Sequence, residues 1–243
     1  MTTGLLLIHA FPLDARMWES QRGSLGARSP VIAPHLPGFG ATEGPGVLTM
    51  EVAADRCLRA LDEAGLDTAI VCGLSMGGYV AFELWRRARH RVAALVLANT
   101  RAEPDPPDGA AGRRALAERL RADGHGFLVE EPPPLLAEEA PTDLRERVRA
   151  WIADQTPGAI AAAALGMAER PDSVPDLPGI EVPTLVVTGT ADRLIPPDVT
   201  AGIAERVPDA ELLRIEGAGH LSNLEAPDAF TTALEGVLTR LGM

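Results

Sequence analysis

One serine in this sequence has neighbours that could turn it into a nucleophile. Residues 71–79 read Val-Cys-Gly-Leu-Ser-Met-Gly-Gly-Tyr, which places Ser75 in the pattern Gly73-x-Ser75-x-Gly77. An apolar run leads into it and a helical pattern follows at once. A strand that reverses into a helix this sharply strains the backbone of the serine, and only small residues two places before and after it let the chain pass. The hydroxyl then stands at the C-terminal edge of a sheet, over the positive end of a helix. The plain alternative is a tight turn without chemistry, and the strand-turn-helix context speaks against it.

A serine hydroxyl needs a general base, and the base needs an orienting carboxylate. His220, in Gly217-Ala218-Gly219-His220, follows the last apolar run and can reach the same sheet edge. The other histidines have duller settings: His9 ends the first run, His35 lies in a Pro-Gly turn, His90 ends a helix and His125 falls in a charged stretch. The acid expected is Asp192, in Thr188-Gly189-Thr190-Ala191-Asp192, just past another apolar run. Asp105 is its one rival, because it follows the preceding run; position at a strand end favours Asp192. The chain order is then Ser75, Asp192, His220. Acyl transfer also requires donors for a developing oxyanion. The backbone N–H of Met76 is one, and in His9-Ala10-Phe11-Pro12 the N–H of Phe11 is the nearest eligible second, since Pro12 has none.

These residues need a scaffold that brings strand ends together. Apolar runs at residues 5–8, 31–33, 69–72, 94–97, 185–187 and 212–215 are continuous, as in parallel strands covered by helices on both faces. Helical patterns at 50–64, 76–89, 197–207 and 227–241 alternate with them. Strand and helix in this rhythm predict an α/β fold with a mostly parallel sheet. Residues 101–178 break the rhythm with helical patterns at 113–121, 143–154 and 159–169 and no strand. An insertion at this point lies over the crevice where such sheets bind ligands, so the sequence reads as a core of residues 1–100 and 179–243 with a helical lid over 101–178. Leu144, Val148, Trp151 and Ile152 fall at i, i+4, i+7 and i+8, and this apolar stripe is the candidate substrate-contacting face of the lid. Packing of the lid onto the core is the alternative use of the same stripe.

Composition removes whole classes of function. The 243 residues are 46% hydrophobic and 23% charged, which fits one globular domain with an inserted lobe. All 22 basic side chains are arginine, so neither a Schiff-base lysine nor a phosphate-loop lysine is available. The net charge of −12 argues against nucleic acid as a partner. No apolar run approaches the ~20 residues of a membrane span and no basic stretch precedes a secretory apolar core, so the sequence reads as cytosolic. Cys57 and Cys72, in apolar surroundings, read as reduced core residues. No spacing of His, Cys, Asp or Glu suggests a metal, and no cofactor is implied.

The segments Ile8-His9-Ala10-Phe11-Pro12-Leu13-Asp14, His35-Leu36-Pro37-Gly38-Phe39-Gly40, 73–78, 189–197 and 217–227 together resemble the α/β-hydrolase superfamily. The nearest branch is similar to small-lid carboxylesterases and 3-oxoadipate enol-lactonases. That resemblance implies a Ser75–His220–Asp192 triad with Phe11 and Met76 as oxyanion donors, while the six apolar runs predict a sheet of six strands where the family often has eight. Three positions depart from the pattern: Ala10 replaces a glycine, His35 stands where an aspartate is common, and Ala41-Thr42 replace a serine. The expected activity is hydrolysis of small carboxylic esters through an acyl-serine. Enol-lactone hydrolysis, carbon–carbon bond hydrolysis and cofactor-free perhydrolysis use the same triad, and a small-molecule binding protein with little turnover is the alternative of another class. Short neutral esters are expected over anionic lactones, since binding an anion would need Arg101 or Arg193 in the pocket.

Overall fold

All six apolar runs become strands of one sheet in the computed structural model, which describes residues 1–243. They are β1 (Thr3–Ile8), β2 (Val31–Ile32), β3 (Thr68–Leu74), β4 (Val92–Ala98), β5 (Thr184–Gly189) and β6 (Ala210–Ile215). Every pairing is parallel and the order is β2-β1-β3-β4-β5-β6. The chain winds outward from β1 to β2 and then crosses back to β3. The direction of winding reverses between β1 and β3, and the crevice above that reversal is where open α/β sheets hold ligands.

Ten helices cover the sheet: α1 (Glu19–Leu25), α2 (Met50–Glu63), α3 (Met76–Ala88), α4 (Pro107–Asp123), α5 (Gly126–Glu130), α6 (Thr142–Ala153), α7 (Pro157–Ala168), α8 (Pro197–Ala204), α9 (Ser222–Glu225) and α10 (Pro227–Arg240). Because strand side chains alternate, each strand feeds two apolar layers. Leu5, Leu7, Ile70 and Cys72 pack with Trp18 and Phe230 on one face, while Leu6, Ile8, Ala69 and Val71 pack with Phe82 and Trp85 on the other. Both cysteines are buried and unpaired. The helix α1 has no counterpart in the sequence reading. It is short, polar in composition and buries Gln21 with Leu25, so no apolar period announces it.

The insertion between β4 and β5 consists of α4 to α7 and a short 3-10 stretch, Val174–Gly179. Its anchor is α7, which is apolar on nearly every side and almost wholly buried. Leu48 N donates to Ala162 O of α7 at 2.9 Å, and a Cβ on Gly166 would strike the carbonyl of Leu48. Glycine at 166 therefore permits contact between the insertion and the loop before α2. The stripe on α6 requires a correction. Leu144, Val148, Trp151 and Ile152 are all buried and join the apolar layer that includes Leu135, Leu136 and Ile160. An apolar stripe on a helix turns to the nearest apolar surface, and here that surface is the rest of the insertion and the core beneath it.

Candidate active site

Ser75 sits between β3 and α3 with φ 57° and ψ −115°, the strained turn foreseen from its glycines. A Cβ on Gly73 would collide with the carbonyl of Gly77, and one on Gly77 with the carbonyl of Ile8. The turn is pinned at both ends: Ser75 N donates to Ala98 O at 2.9 Å, and Thr100 Oγ1 donates to Ser75 O at 2.8 Å. The strain is thus held by the neighbouring strand β4, and the hydroxyl is carried at the N-terminus of α3.

Asp192 and His220 come from the loops after β5 and β6 and meet in the interior, both buried. His220 Nδ1 lies 2.9 Å from Asp192 Oδ2. The remaining lone pairs of the carboxylate are filled by the N–H groups of Leu194 and Ile195 on Oδ1, each at 2.9 Å, and by Asn99 Nδ2 on Oδ2 at 2.9 Å. Burial works against ionisation of Asp192. The hydrogen bond and charge of His220, with the Asn99 amide and the Ile195 N–H, outweigh it and hold the carboxyl below its usual range. An ionised acid here fixes His220 as the Nδ1–H tautomer, leaving Nε2 as the acceptor. Nε2 is buried and has no hydrogen-bond partner in the protein.

The sequence reading missed the residues that hold this pair. Asn99, at the end of β4, adopts a left-handed backbone (φ 45°) and bonds Asp192, Gly219 O and Ser222 Oγ through one amide. Glu225, on α9, accepts from Gly219 N with one oxygen and from Ala137 N of the insertion with the other. Burial pushes its carboxyl above the usual range. Asparagine at a strand end was a readable signal, whereas nothing local marks Glu225. Asp105, the rival aspartate, is engaged elsewhere. It binds Arg170 at 2.9 Å and Arg113 more closely still, and no hydrogen bond or ion pair joins it to His220.

On the opposite side, Phe11 N has no acceptor in the protein, and Met76 N, first in α3, has none within its helix. The loop carrying Phe11 is fastened by His9, whose Nε2 accepts from Leu36 N at 3.1 Å while Nδ1 faces Ala10 O at 3.1 Å. Burial drives the His9 pKa down to about 4, so the ring is neutral and acts as a strut. Ser75 opens into a cavity of about 280 Å³ lined by Phe11, Tyr79, Leu116, Leu128, Leu135 and Met167, with Arg101 among its polar groups. The α6 stripe contributes nothing to this wall. Arg193 lies outside it, exposed and paired with Glu138. No cluster of three His, Cys, Asp or Glu side chains could hold a metal ion.

The chain matches the alpha/beta hydrolase family over residues 5–233. It belongs to that family. This alpha/beta hydrolase is 32% identical to the pimeloyl-[acyl-carrier protein] methyl ester esterase of Aromatoleum aromaticum over 96% of its own length and 97% of the relative's. Among solved structures it is similar to a malate-bound thermophilic esterase from Thermogutta terrifontis, with a TM-score of 0.95 and 42% identity over 100% of this chain and 92% of the other. It also resembles an enol-lactonase from Burkholderia xenovorans, with a TM-score of 0.86 and 27% identity over 98% and 92% of the two chains. As a member of this family with esterases among its relatives, the chain is a carboxylic ester hydrolase. No helix is long and apolar enough to cross a membrane.

Proposed function

We propose that Ser75, His220 and Asp192 form a nucleophile–base–acid triad that hydrolyses small carboxylic esters through an acyl-serine, with residues 101–178 as the lid over the site. The observation that carries this reading is the His220 ring, held at Nδ1 by Asp192 while Nε2 is buried and unpartnered, with Asn99 bonding the same carboxylate one residue after the Ala98 carbonyl that pins Ser75. His220 Nε2 takes the Ser75 proton as Oγ attacks the ester carbonyl. The oxyanion that forms accepts from Phe11 N and Met76 N. Its collapse expels the alcohol, which receives the proton from His220. Water, deprotonated by the same nitrogen, then attacks the acyl-serine, and a second collapse returns the free acid and Ser75. Asp192 keeps its negative charge throughout and stabilises the imidazolium. A lactone follows the same course with the alcohol retained in the product, and the likeness to an enol-lactonase supports that second reading.

The test is replacement and labelling of the serine. Ser75→Ala is expected to lower kcat by roughly 10³-fold or more with an unchanged unfolding transition. A serine-directed organophosphorus reagent should add its mass to the Ser75 peptide alone. Labelling elsewhere, with Ser75→Ala still active, rejects the assignment. A wild-type protein that binds esters without turning them over makes the binding-protein alternative the better account.

A further inference from the structure

Arg101 is the only arginine that lacks both a partner and open exposure to solvent. It has no ion-pair or hydrogen-bond partner, and it is half-buried. The other arginines without such partners, Arg22, Arg59, Arg89, Arg114, Arg147 and Arg149, are all exposed, where water completes their hydration. In a chain with a net charge of −12, carboxylates outnumber guanidiniums and a half-buried arginine would ordinarily be claimed by one. The carboxylate on its own cavity wall is already committed. Asp105, on the same cavity wall, is bound by both Arg113 and Arg170, and Arg170 also lies 4.2 Å from the Tyr79 ring centre. One carboxylate among these arginines leaves the wall beside Ser75 with a surplus of positive charge, and the free fork belongs to Arg101.

We infer that Arg101 is the receptor for a free carboxylate on the substrate, so that the site is built for short esters or lactones whose acyl part carries a second, ionised carboxyl group. This rests on the esterase reading above and specifies its substrate class. A guanidinium fork meets a carboxylate with two parallel hydrogen bonds, and does so most strongly where water is partly excluded. Beyond the Asp105–Arg113 pair the wall is largely apolar, with Leu116, Leu128, Leu135 and Met167 suited to a few methylene groups between the two ends. A cavity of about 280 Å³ limits the acyl part to a short chain. The expectation of neutral esters held that binding an anion would need Arg101 or Arg193 in the pocket, and Arg101 does lie in its wall.

The experiment compares para-nitrophenyl valerate with mono-para-nitrophenyl glutarate, which differ by a terminal carboxylate, after subtraction of spontaneous hydrolysis. Wild-type kcat/KM is expected to favour the glutarate ester by tenfold or more. Arg101→Gln should erase that preference, chiefly through KM for the glutarate ester. Arg101→Lys should keep part of it, and Arg114→Gln, at an exposed site, should keep all of it. In parallel, millimolar glutarate should raise the Tm of the wild type and not that of Arg101→Gln. Equal or reversed preference in the wild type, or a preference that survives Arg101→Gln, overturns the inference. If the wild type hydrolyses neither ester, the esterase reading fails separately. The glutarate arm then decides, a shift lost in Arg101→Gln upholding the carboxylate receptor and no shift in the wild type rejecting it.

Discussion

Asp192 and Asp105 both follow strands and both are largely buried, yet their partners give them opposite work. Asp192 is hydrogen-bonded to a histidine whose other nitrogen is free, whereas Asp105 is closed off between two guanidiniums. Asp192→Asn is therefore expected to lower kcat by about 10²–10⁴-fold, because an amide neither stabilises the imidazolium nor enforces the Nδ1–H tautomer. Asp105→Asn should retain most of the turnover of a neutral ester and lose stability, since it leaves the buried Arg170 without its carboxylate. Parallel kcat and urea-unfolding measurements on the two variants separate these roles. A dead Asp105 variant beside an active Asp192 variant would falsify the assignment of the acid.

Whole loops are positioned by single buried side chains, and two of these give element-scale predictions. His9 fastens the loop that carries Phe11 to the loop at Leu36, and burial lowers its pKa from 6.5 to about 4. The unfolded chain takes up a proton below 6.5 and the folded chain does not until about 4. The stability tied to His9 is thus complete above pH 6.5 and is lost as pH falls from 6.5 towards 4. Urea titrations should show a loss of about 2 kcal/mol between pH 7 and pH 5 from this group, and His9→Gln should lack that part of the slope. Glu225 joins the His220 loop to the insertion by accepting from Gly219 N and Ala137 N. Glu225→Ala orphans both donors, at about 1–3 kcal/mol each if they stay dry. A lower Tm and a kcat reduced by tenfold or more are expected, with Glu225→Gln milder because it keeps one acceptor. An Ala variant with wild-type Tm and kcat would show that the two loops hold their places without it.

At the scale of the molecule, the two apolar layers also report on the folded state through their thiols. Cys57 on α2 and Cys72 on β3 are both fully buried, and burial pushes the Cys57 thiol up to about 12 and that of Cys72 higher still. Neither should react with a disulfide reagent such as Ellman's while the protein is folded, and both should react together on unfolding. Reaction of one thiol before the global transition would reveal a sub-domain that opens separately. Turnover by the proposed triad uses only protein groups and water. Dialysis against a chelator should therefore leave kcat unchanged, and a loss restored by a divalent ion would contradict that mechanism.

The sequence by itself determined the sheet and the strained turn at Ser75, because both are written locally. Continuous apolar runs mark buried parallel strands, and Gly73-x-Ser75-x-Gly77 marks a turn whose sterics depend only on its own residues. The placement of Asp192 and His220 just past strands was legible for the same reason. Tertiary structure alone decided what depends on residues distant in the chain. Asn99 reaches Asp192 and Ser222, Glu225 reaches Ala137, and Asp105 is bound by Arg170, across separations no local pattern records. The α6 stripe is the same lesson in reverse: its period says that one face is apolar, not which surface that face meets. Arg101 is the sharpest case, since a guanidinium has the same sequence signature whether solvated, paired or waiting in a cavity. Only the placing of every carboxylate around it shows that its fork is free.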